Sequence, residues 1–310
     1  MKFKTPKFWH KKYLNLFSLL LLPLSFLIQV FSKIRSKVIP TKKFNSKVIC
    51  VGNLYLGGTG KTPLTIKLFE ILKYMEKNPA IIKKFYHNQN DEIDLIKDKV
   101  GKVFTATSRQ KAIMMAENSN FDTMILDDGS QDYSIYKDLN IACFNSKQLI
   151  GNEHTIPSGP LRENFNSIKN FKIAVINGDK NQKFENKIKE FAPNIDIFYS
   201  EYYSVDASKY LNKSLLAFAG IGNPNNFFEL MEKNKLNIKI KLAYPDHYNF
   251  SQNDMNNLFQ TAKKENLDLI TTEKDYYRLK KIGFNNINFF AIKLKIHNEQ
   301  HFIKKIKECI

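Results

Sequence analysis

The longest apolar run of the chain lies close to its start. From Tyr13 to Phe31 almost every position is hydrophobic. As a helix the run would be about 28 Å long at ~1.5 Å per residue, enough to cross a bilayer. Its polar positions are not scattered. Lys11, Asn15, Ser18, Ser25, Gln29 and Lys33 fall within an arc of roughly 80° when wound at ~100° per residue, which predicts a greasy helix with one narrow wet stripe. Such a helix suits a segment lying in the membrane interface. Basic residues flank it on both sides: Lys2, Lys4, Lys7, Lys11 and Lys12 before, Lys33, Arg35, Lys37, Lys42 and Lys43 after. The positive-inside rule therefore gives no preferred orientation. Trp9 and Tyr13 stand where interfacial aromatics belong. A secretory signal would end in small residues, whereas this chain continues Ser32-Lys33-Ile34-Arg35-Ser36-Lys37. A true span and a buried core helix are the competing readings of the same run.

Beyond that run, apolar β-rich stretches alternate with helical patterns. Strands are expected at Lys47–Val51, Lys102–Thr105, Thr123–Asp127, Asn140–Phe144, Lys172–Ile176, Ser214–Ala219, Lys239–Ala243, Asp268–Thr272 and Asn288–Leu294. Helices are expected at Thr62–Lys77, Ser108–Asn118, Asn225–Lys235, Ser251–Glu265 and Glu299–Cys309. The alternation predicts parallel sheets covered by helices on both faces, an α/β fold. The polar stretch Glu201–Lys213 marks a boundary. The expected organisation is an anchor helix over 1–36, a P-loop domain of α/β/α type over 37–207 and a smaller α/β/α domain over 208–310.

Composition narrows the function classes. The 310 residues are 43% hydrophobic and 25% charged, enough to bury a core, which excludes intrinsic disorder. A mean hydropathy of −0.37 excludes a polytopic membrane protein and leaves room for one anchor. Forty-eight basic against 30 acidic residues give +18, which by itself suggests nucleic acid or an anionic membrane. Only Arg35, Arg109, Arg162 and Arg278 among those are arginine, and the chain is heavy in Asn, Ile, Phe and Tyr. That bias looks like AT-rich coding, so charge is modest evidence, and no RRM, KH or zinc-finger signature supports nucleic-acid binding. Cys50, Cys143 and Cys309 are odd in number with no CxxC spacing, which fits a reducing compartment.

The chemistry is carried by ordered motifs. Gly52-Asn53-Leu54-Tyr55-Leu56-Gly57-Gly58-Thr59-Gly60-Lys61-Thr62-Pro63 follows an expected strand and opens an expected helix, the setting of a phosphate-binding loop. Glycines let backbone N–H groups turn toward phosphate, Lys61 would reach the β- and γ-phosphates, and the Thr62 hydroxyl would bind Mg²⁺. Tyr55 stands where the strict pattern has its first glycine. Asp127 and Asp128 end a buried strand, the Walker-B arrangement for Mg²⁺. Asp91-Glu92 reads as a polar loop after a second strand. Ser158-Gly159-Pro160-Leu161-Arg162-Glu163 is a rigid loop with a rare arginine. Thr271-Thr272-Glu273-Lys274-Asp275 puts three charges at the end of a buried strand, costly without partners.

Together with Phe218-Ala219-Gly220-Ile221-Gly222-Asn223-Pro224 and Pro245-Asp246-His247, these motifs resemble, in order, the tetraacyldisaccharide 4'-kinases, the lipid A 4'-kinases of Gram-negative bacteria. The resemblance spans nearly the whole chain. It implies phosphoryl transfer from ATP, with Mg²⁺, to the 4'-hydroxyl of an acylated glucosamine disaccharide 1-phosphate. It also implies a monotopic enzyme on the cytoplasmic face of the inner membrane, with two α/β/α domains. Asp91 then matches the proposed base and His247 its histidine partner; with Lys61 and Asp128 they form the expected catalytic set. Gly57, Gly58, Thr59, Gly60, Lys61, Thr62 and Gln131 match the nucleotide-binding positions. Thr62, Asp127 and Glu92 match the metal set.

A sugar hydroxyl is a poor nucleophile, so a carboxylate must accept its proton as the bond to phosphorus forms. The chain departs from the family where Lys83-Lys84-Phe85-Tyr86 replaces Arg-Gly-Tyr-Gly, and at Ser130, Asp132 and Tyr248. A membrane-associated P-loop ATPase is the alternative; a GTPase is disfavoured because no NKxD motif follows the Walker-B strand.

Overall fold

A computed structural model describes residues 6–10, 15–86 and 90–310. Lys2, Lys4, Lys11, Lys12 and Tyr13 of the expected anchor flank lie outside the described residues. The chain divides into two compact units. The larger is built from the described residues between 6 and 86, from 100–201 and from 295–310; the smaller from 90–99 and 202–294. Relative to the boundaries read from the sequence, 90–99 joins the second unit and 295–310 the first.

The larger unit is organised by an eight-stranded sheet in the order β12-β7-β6-β5-β1-β4-β2-β3. Its strands are β1 (Lys47–Gly52), β2 (Pro79–Lys84), β3 (Val103–Ala106), β4 (Thr123–Asp127), β5 (Leu139–Asn145), β6 (Ile173–Asn177), β7 (Asp196–Ser204) and β12 (Ile292–Ile296). From Val48 onward every residue of β1 is buried, as expected of a central parallel strand covered on both faces. It pairs in parallel with β4 on one side and β5 on the other. Strand order reverses at β1, and in open α/β sheets such a switch point is where ligands bind, beyond the strand C-termini. Register places Val51 beside Asp127, so the end of β4 meets the loop that leaves β1. That loop enters α2 (Lys61–Tyr74), where Pro63 sits in the first turn and lacks only an N–H that the helix would not have used. On one sheet face Cys50, Ile82, Met124 and Leu126 pack with Ala112, Ile113 and Ala116 of α4 (Arg109–Glu117). Farther along the same face, Phe144, Ala174 and Ile176 pack with Phe184 and Ile188 of α5 (Gln182–Phe191).

The smaller unit carries a four-stranded parallel sheet in the order β11-β10-β8-β9, from β8 (Ser214–Ala219), β9 (Asn237–Ala243), β10 (Asp268–Thr272) and β11 (Asn288–Phe290). Along β8 the two-residue period is plain. Leu215, Ala217 and Ala219 face Phe227, Phe228 and Met231 of α6 (Pro224–Lys233). Leu216 and Phe218 face Met255 and Leu258 of α7 (Gln252–Lys264) and Leu279 of α8 (Glu273–Lys281). The expected strand Asn288–Leu294 is two strands: β11 ends at Phe290, and β12 begins at Ile292 in the other sheet. Asp91 and Glu92 are not in a loop. They form the first turn of α3 (Asn90–Val100), where acidic side chains oppose the positive end of the helix dipole.

The N-terminal run is helical as α1 (Leu16–Val38). Among the described residues it is the one helix long and apolar enough to cross a membrane. Its faces reverse the sequence reading. The polar stripe is not wet: Ser18 and Ser25 are 0% and 1% exposed. The Ser18 hydroxyl donates to the Ser158 carbonyl (2.9 Å) and accepts from the Asn152 amide (3.0 Å). The Ser25 hydroxyl donates to the Thr155 carbonyl (2.9 Å) and accepts from the Ser158 N–H (3.0 Å). Gln29 donates to the Thr155 hydroxyl at 2.9 Å. The stripe therefore docks on the loop 152–164 of the same unit, while Phe17, Leu20, Phe26, Leu27 and Phe31 are 63–71% exposed. Trp9 is likewise no interfacial aromatic: it is buried, and its indole N–H donates to the Pro157 carbonyl at 3.0 Å.

Candidate active site

The phosphate loop is shaped by its glycines and by a neighbouring loop. Gly60, the residue before α2, has φ +93°, a left-handed turn that glycine adopts without a Cβ penalty. It lets the chain swing Lys61 and Thr62 into the first turn of the helix. Tyr55 needs no such freedom. It is extended and buried, bridged to Leu161, with Leu56 N–H donating to the Pro160 carbonyl (2.8 Å) and Arg162 N–H to the Leu54 carbonyl (2.7 Å). Burial pushes the Tyr55 phenol up to about 12. Inside the loop, the Asn53 amide donates to the Tyr55 carbonyl (2.5 Å) and the Thr59 hydroxyl (3.0 Å).

Lys61, Thr62, Asp127, Asp128 and Gln131 converge around this loop. The Thr62 hydroxyl lies 3.5 Å from Asp127 Oδ2 and Lys61 Nζ 3.8 Å from Asp128 Oδ2. Arg162 donates to Asp128 Oδ1 at 2.8 Å and to Gln131 Oε1 at 3.3 Å. Arg109 holds the Asp128 carbonyl at 2.6 Å. Asp128 has φ +60°, a strained choice for a residue with a Cβ, of the kind that collects at functional sites. Burial alone would raise its pKa, but Lys61 and Arg162 outweigh burial and hold it below the usual carboxylate range. Burial pulls the Lys61 ammonium the other way, below its ordinary value, against the opposing pull of Asp128.

Two cations here were not among the expected site residues. Lys83, next to last in β2, reaches Asp127 Oδ2 at 2.6 Å, with both side chains buried. Its signal was present, since a lysine prolonging the buried run Pro79-Ala80-Ile81-Ile82 needs a counter-charge. Arg109 gave no comparable signal, being one polar residue at the start of a helix.

The smaller unit gathers Asp91, Glu92 and His247. Asp91 Oδ2 accepts from Arg278 through Nε (2.8 Å) and Nη2 (2.7 Å). Arg278 Nη1 also donates to the Gly220 carbonyl (2.7 Å) and to Asp275 Oδ1 (2.6 Å). Asp275, fully buried, accepts in turn from Gly220 N–H and the Thr272 hydroxyl. The guanidinium that fixes Asp91 is thus itself fixed from below. His247 sits at φ +54°, with Nδ1 3.9 Å from Asp91 Oδ2 and 3.2 Å from Arg278 Nη2. Its Nε2 is 3.3 Å from Lys274 Nζ. A neutral imidazole has one acceptor nitrogen, so only one of these two cations donates to it at a time. Burial, then Lys274 and Arg278, hold the His247 pKa below 6.5, against Asp246 and Asp91. Glu92 accepts from Lys274 at 2.8 Å. Among the described residues no group of three or more His, Cys, Asp or Glu forms a metal cluster.

With this geometry in place the comparisons decide the family. A family model described as tetraacyldisaccharide-1-P 4'-kinase matches residues 17–310. The chain belongs to the tetraacyldisaccharide 4'-kinase family. A relative named tetraacyldisaccharide 4'-kinase from Pelagibacter ubique is 43% identical over 311 residues, covering 99% of this chain and 98% of the relative. Another of that name from Rickettsia typhi is 32% identical over 321 residues, covering 99% and 98%. Among solved structures, that of LpxK from Aquifex aeolicus, described as an "apo" form in complex with ATP, is similar in fold. It has a TM-score of 0.73 and 24% identity, covering 94% of this chain and 99% of that one. As a tetraacyldisaccharide 4'-kinase family member the chain keeps the α/β architecture expected from its sequence, with the phosphate loop between β1 and α2 and the acidic pair at the end of β4.

Proposed function

We propose that the chain transfers the γ-phosphate of ATP to the 4'-hydroxyl of a tetraacyl glucosamine disaccharide 1-phosphate, a step of lipid A biosynthesis. The reading is carried by one observation: a glycine-turned loop at the switch point of a parallel sheet, with Lys61 and Thr62 opening a helix beside Asp127 and Asp128. Backbone N–H groups and the α2 dipole receive the phosphates, and Lys61 neutralises charge that grows in the transition state. Thr62 and Asp127 offer the hard oxygen donors that Mg²⁺ takes, and the convergence of hydroxyl and carboxylate fits that ion. When bound, Mg²⁺ would neutralise the β- and γ-oxygens. Arg162 and Arg109 hold Asp128 by side chain and main chain. In the smaller unit Asp91 accepts the proton of the attacking hydroxyl, and His247, kept neutral, takes part in its removal. Glu92 matches the family's metal set, and here its carboxylate is engaged by Lys274.

The exposed apolar face of α1 is the kind of surface that meets lipid, and its docked polar stripe supports a helix lying in one leaflet. We place the enzyme at the cytoplasmic face of the inner membrane, where its acylated acceptor resides. The test is incubation of detergent-solubilised protein with γ-labelled ATP, Mg²⁺ and the tetraacyl disaccharide 1-phosphate. Label should move onto the lipid, and should not with Lys61→Ala. Hydrolysis of ATP with no labelled lipid would overturn the kinase reading in favour of an ATPase.

A further inference from the structure

The polar stripe of α1 ends on the segment that grips the phosphate loop. Ser158 is fully buried. Its N–H donates to Ser25 and its hydroxyl donates to the Ser18 carbonyl at 2.7 Å. Its own carbonyl accepts from both Ser18 and Asn152. Two residues on, the Pro160 carbonyl accepts from Leu56 N–H, immediately before Gly57. Arg162 then ties the Leu54 carbonyl through its backbone and Asp128 through its side chain. Between these grips stands Gly159, where a Cβ would collide with the Asn152 side chain and the His154 carbonyl. The segment is too crowded to shift by itself. From Ser18 to the loop glycines the path runs through hydrogen bonds and two peptide units, all inside the larger unit.

We propose that Ser18, Ser25 and Gln29 of the membrane helix are positioning residues for nucleotide binding. By clamping Thr155 and Ser158 they fix Pro160–Arg162, and through it the entry of the phosphate loop. The helix that meets lipid with one face is therefore a scaffold element of the phosphate site with the other. Removing the two serine hydroxyls leaves the buried Ser158 N–H and the Asn152 amide each short of an acceptor, a cost that hydrogen-bonded networks transmit to their neighbours. This inference rests on the reading of Gly57–Thr62 as an ATP site.

The experiment uses the full chain in detergent or bound to vesicles of anionic phospholipid. ATP affinity is measured with a fluorescent ATP analogue for wild type, Ser18→Ala/Ser25→Ala and Gln29→Leu. The double variant should bind about tenfold more weakly, about 1.4 kcal/mol, and its KM for ATP should rise in step. Its kcat at saturating ATP and its sedimentation with vesicles should stay within about twofold of wild type. Ser25→Thr, which keeps the hydroxyl, should recover most of the affinity. A merely structural role would lower the melting temperature while leaving the affinity of the folded fraction and KM unchanged. Affinity within twofold of wild type overturns the inference. Should the double variant lose its cooperative melt, Gln29→Leu decides in its place, with a loss of about threefold expected and no loss overturning it. A wild type that binds no ATP would overturn the functional reading itself, and the inference with it.

Discussion

The two polar clusters are made in opposite ways. Around Lys61 the working groups come from a short stretch of consecutive backbone, turned by glycines and backed by the end of the adjacent strand β4. Around Asp91 they come from side chains on α3, the loop after β9, and α8, joined through one guanidinium. A backbone-built site presents donors whose directions are set by φ and ψ, so its affinity is spread over many amides. A side-chain-built site concentrates its geometry in a few residues: Arg278 alone touches Asp91, Asp275, Gly220 and His247. The first should respond to mutation by losing charge stabilisation, the second by losing aim.

The largest effect belongs to the backbone-built site. Lys61→Ala should leave label transfer at background, a loss of at least about a thousandfold, because a preorganised cation aimed at the phosphates has no substitute in water. Retention of a tenth of wild-type transfer would mean that the loop does not handle the γ-phosphate. Next comes Asp91→Asn, which should cut kcat by about 10²–10⁴-fold, the usual worth of a general base, while ATP affinity stays near wild type. Equal losses in ATP affinity and turnover would tie Asp91 to nucleotide binding instead and erase the contrast between the clusters.

Legibility followed the same division. The phosphate loop, its strand and its helix were readable because local sequence dictates them: a buried run, three glycines, then Lys61-Thr62. Several strands were found to the residue, as at Thr123–Asp127 and Ser214–Ala219, since a parallel strand buried on both faces is one continuous apolar run. The second cluster was named only in part. Asp91 and His247 were reached through resemblance, whereas Arg278 was seen only as one of four arginines, and α8 was not foreseen. Polar residues reveal a helix only through what they pair with, and pairing is tertiary. The stripe on α1 was seen correctly as a stripe and assigned to the wrong partner. Periodicity tells which residues share a face; it does not tell whether water, lipid or a loop covers it.

The buried pair Lys83–Asp127 extends the comparison to stability. Lys83→Met leaves the Asp127 carboxylate buried without its closest cation, and breaking a buried pair from one side costs about 3–5 kcal/mol. The melting temperature should fall by roughly 10 °C. Replacing both partners, as Lys83→Met with Asp127→Leu, should recover most of that fall while abolishing transfer. A single variant that melts within about two degrees of wild type would show that the pair is not a structural constraint on the site.

The smallest effect tests the smaller unit through its histidine. In the unfolded chain His247 titrates near 6.5, and in the folded protein lower, because burial and then Lys274 disfavour the imidazolium. Between those two values the unfolded chain holds the extra proton. This contribution to stability is complete above pH 6.5 and is lost as pH falls through the folded value. Lys274→Met removes the nearest cation from Nε2 and leaves Glu92, 4.0 Å away, to favour protonation. The folded pKa should therefore move back toward 6.5, the acid limb of the turnover profile should shift to higher pH, and the His247 imidazole resonance should report the same shift directly. A resonance that titrates at an unchanged or lower pH would mean that burial with Arg278 suffices to keep His247 neutral, and that the aim of this cluster rests on Arg278 without help from Lys274.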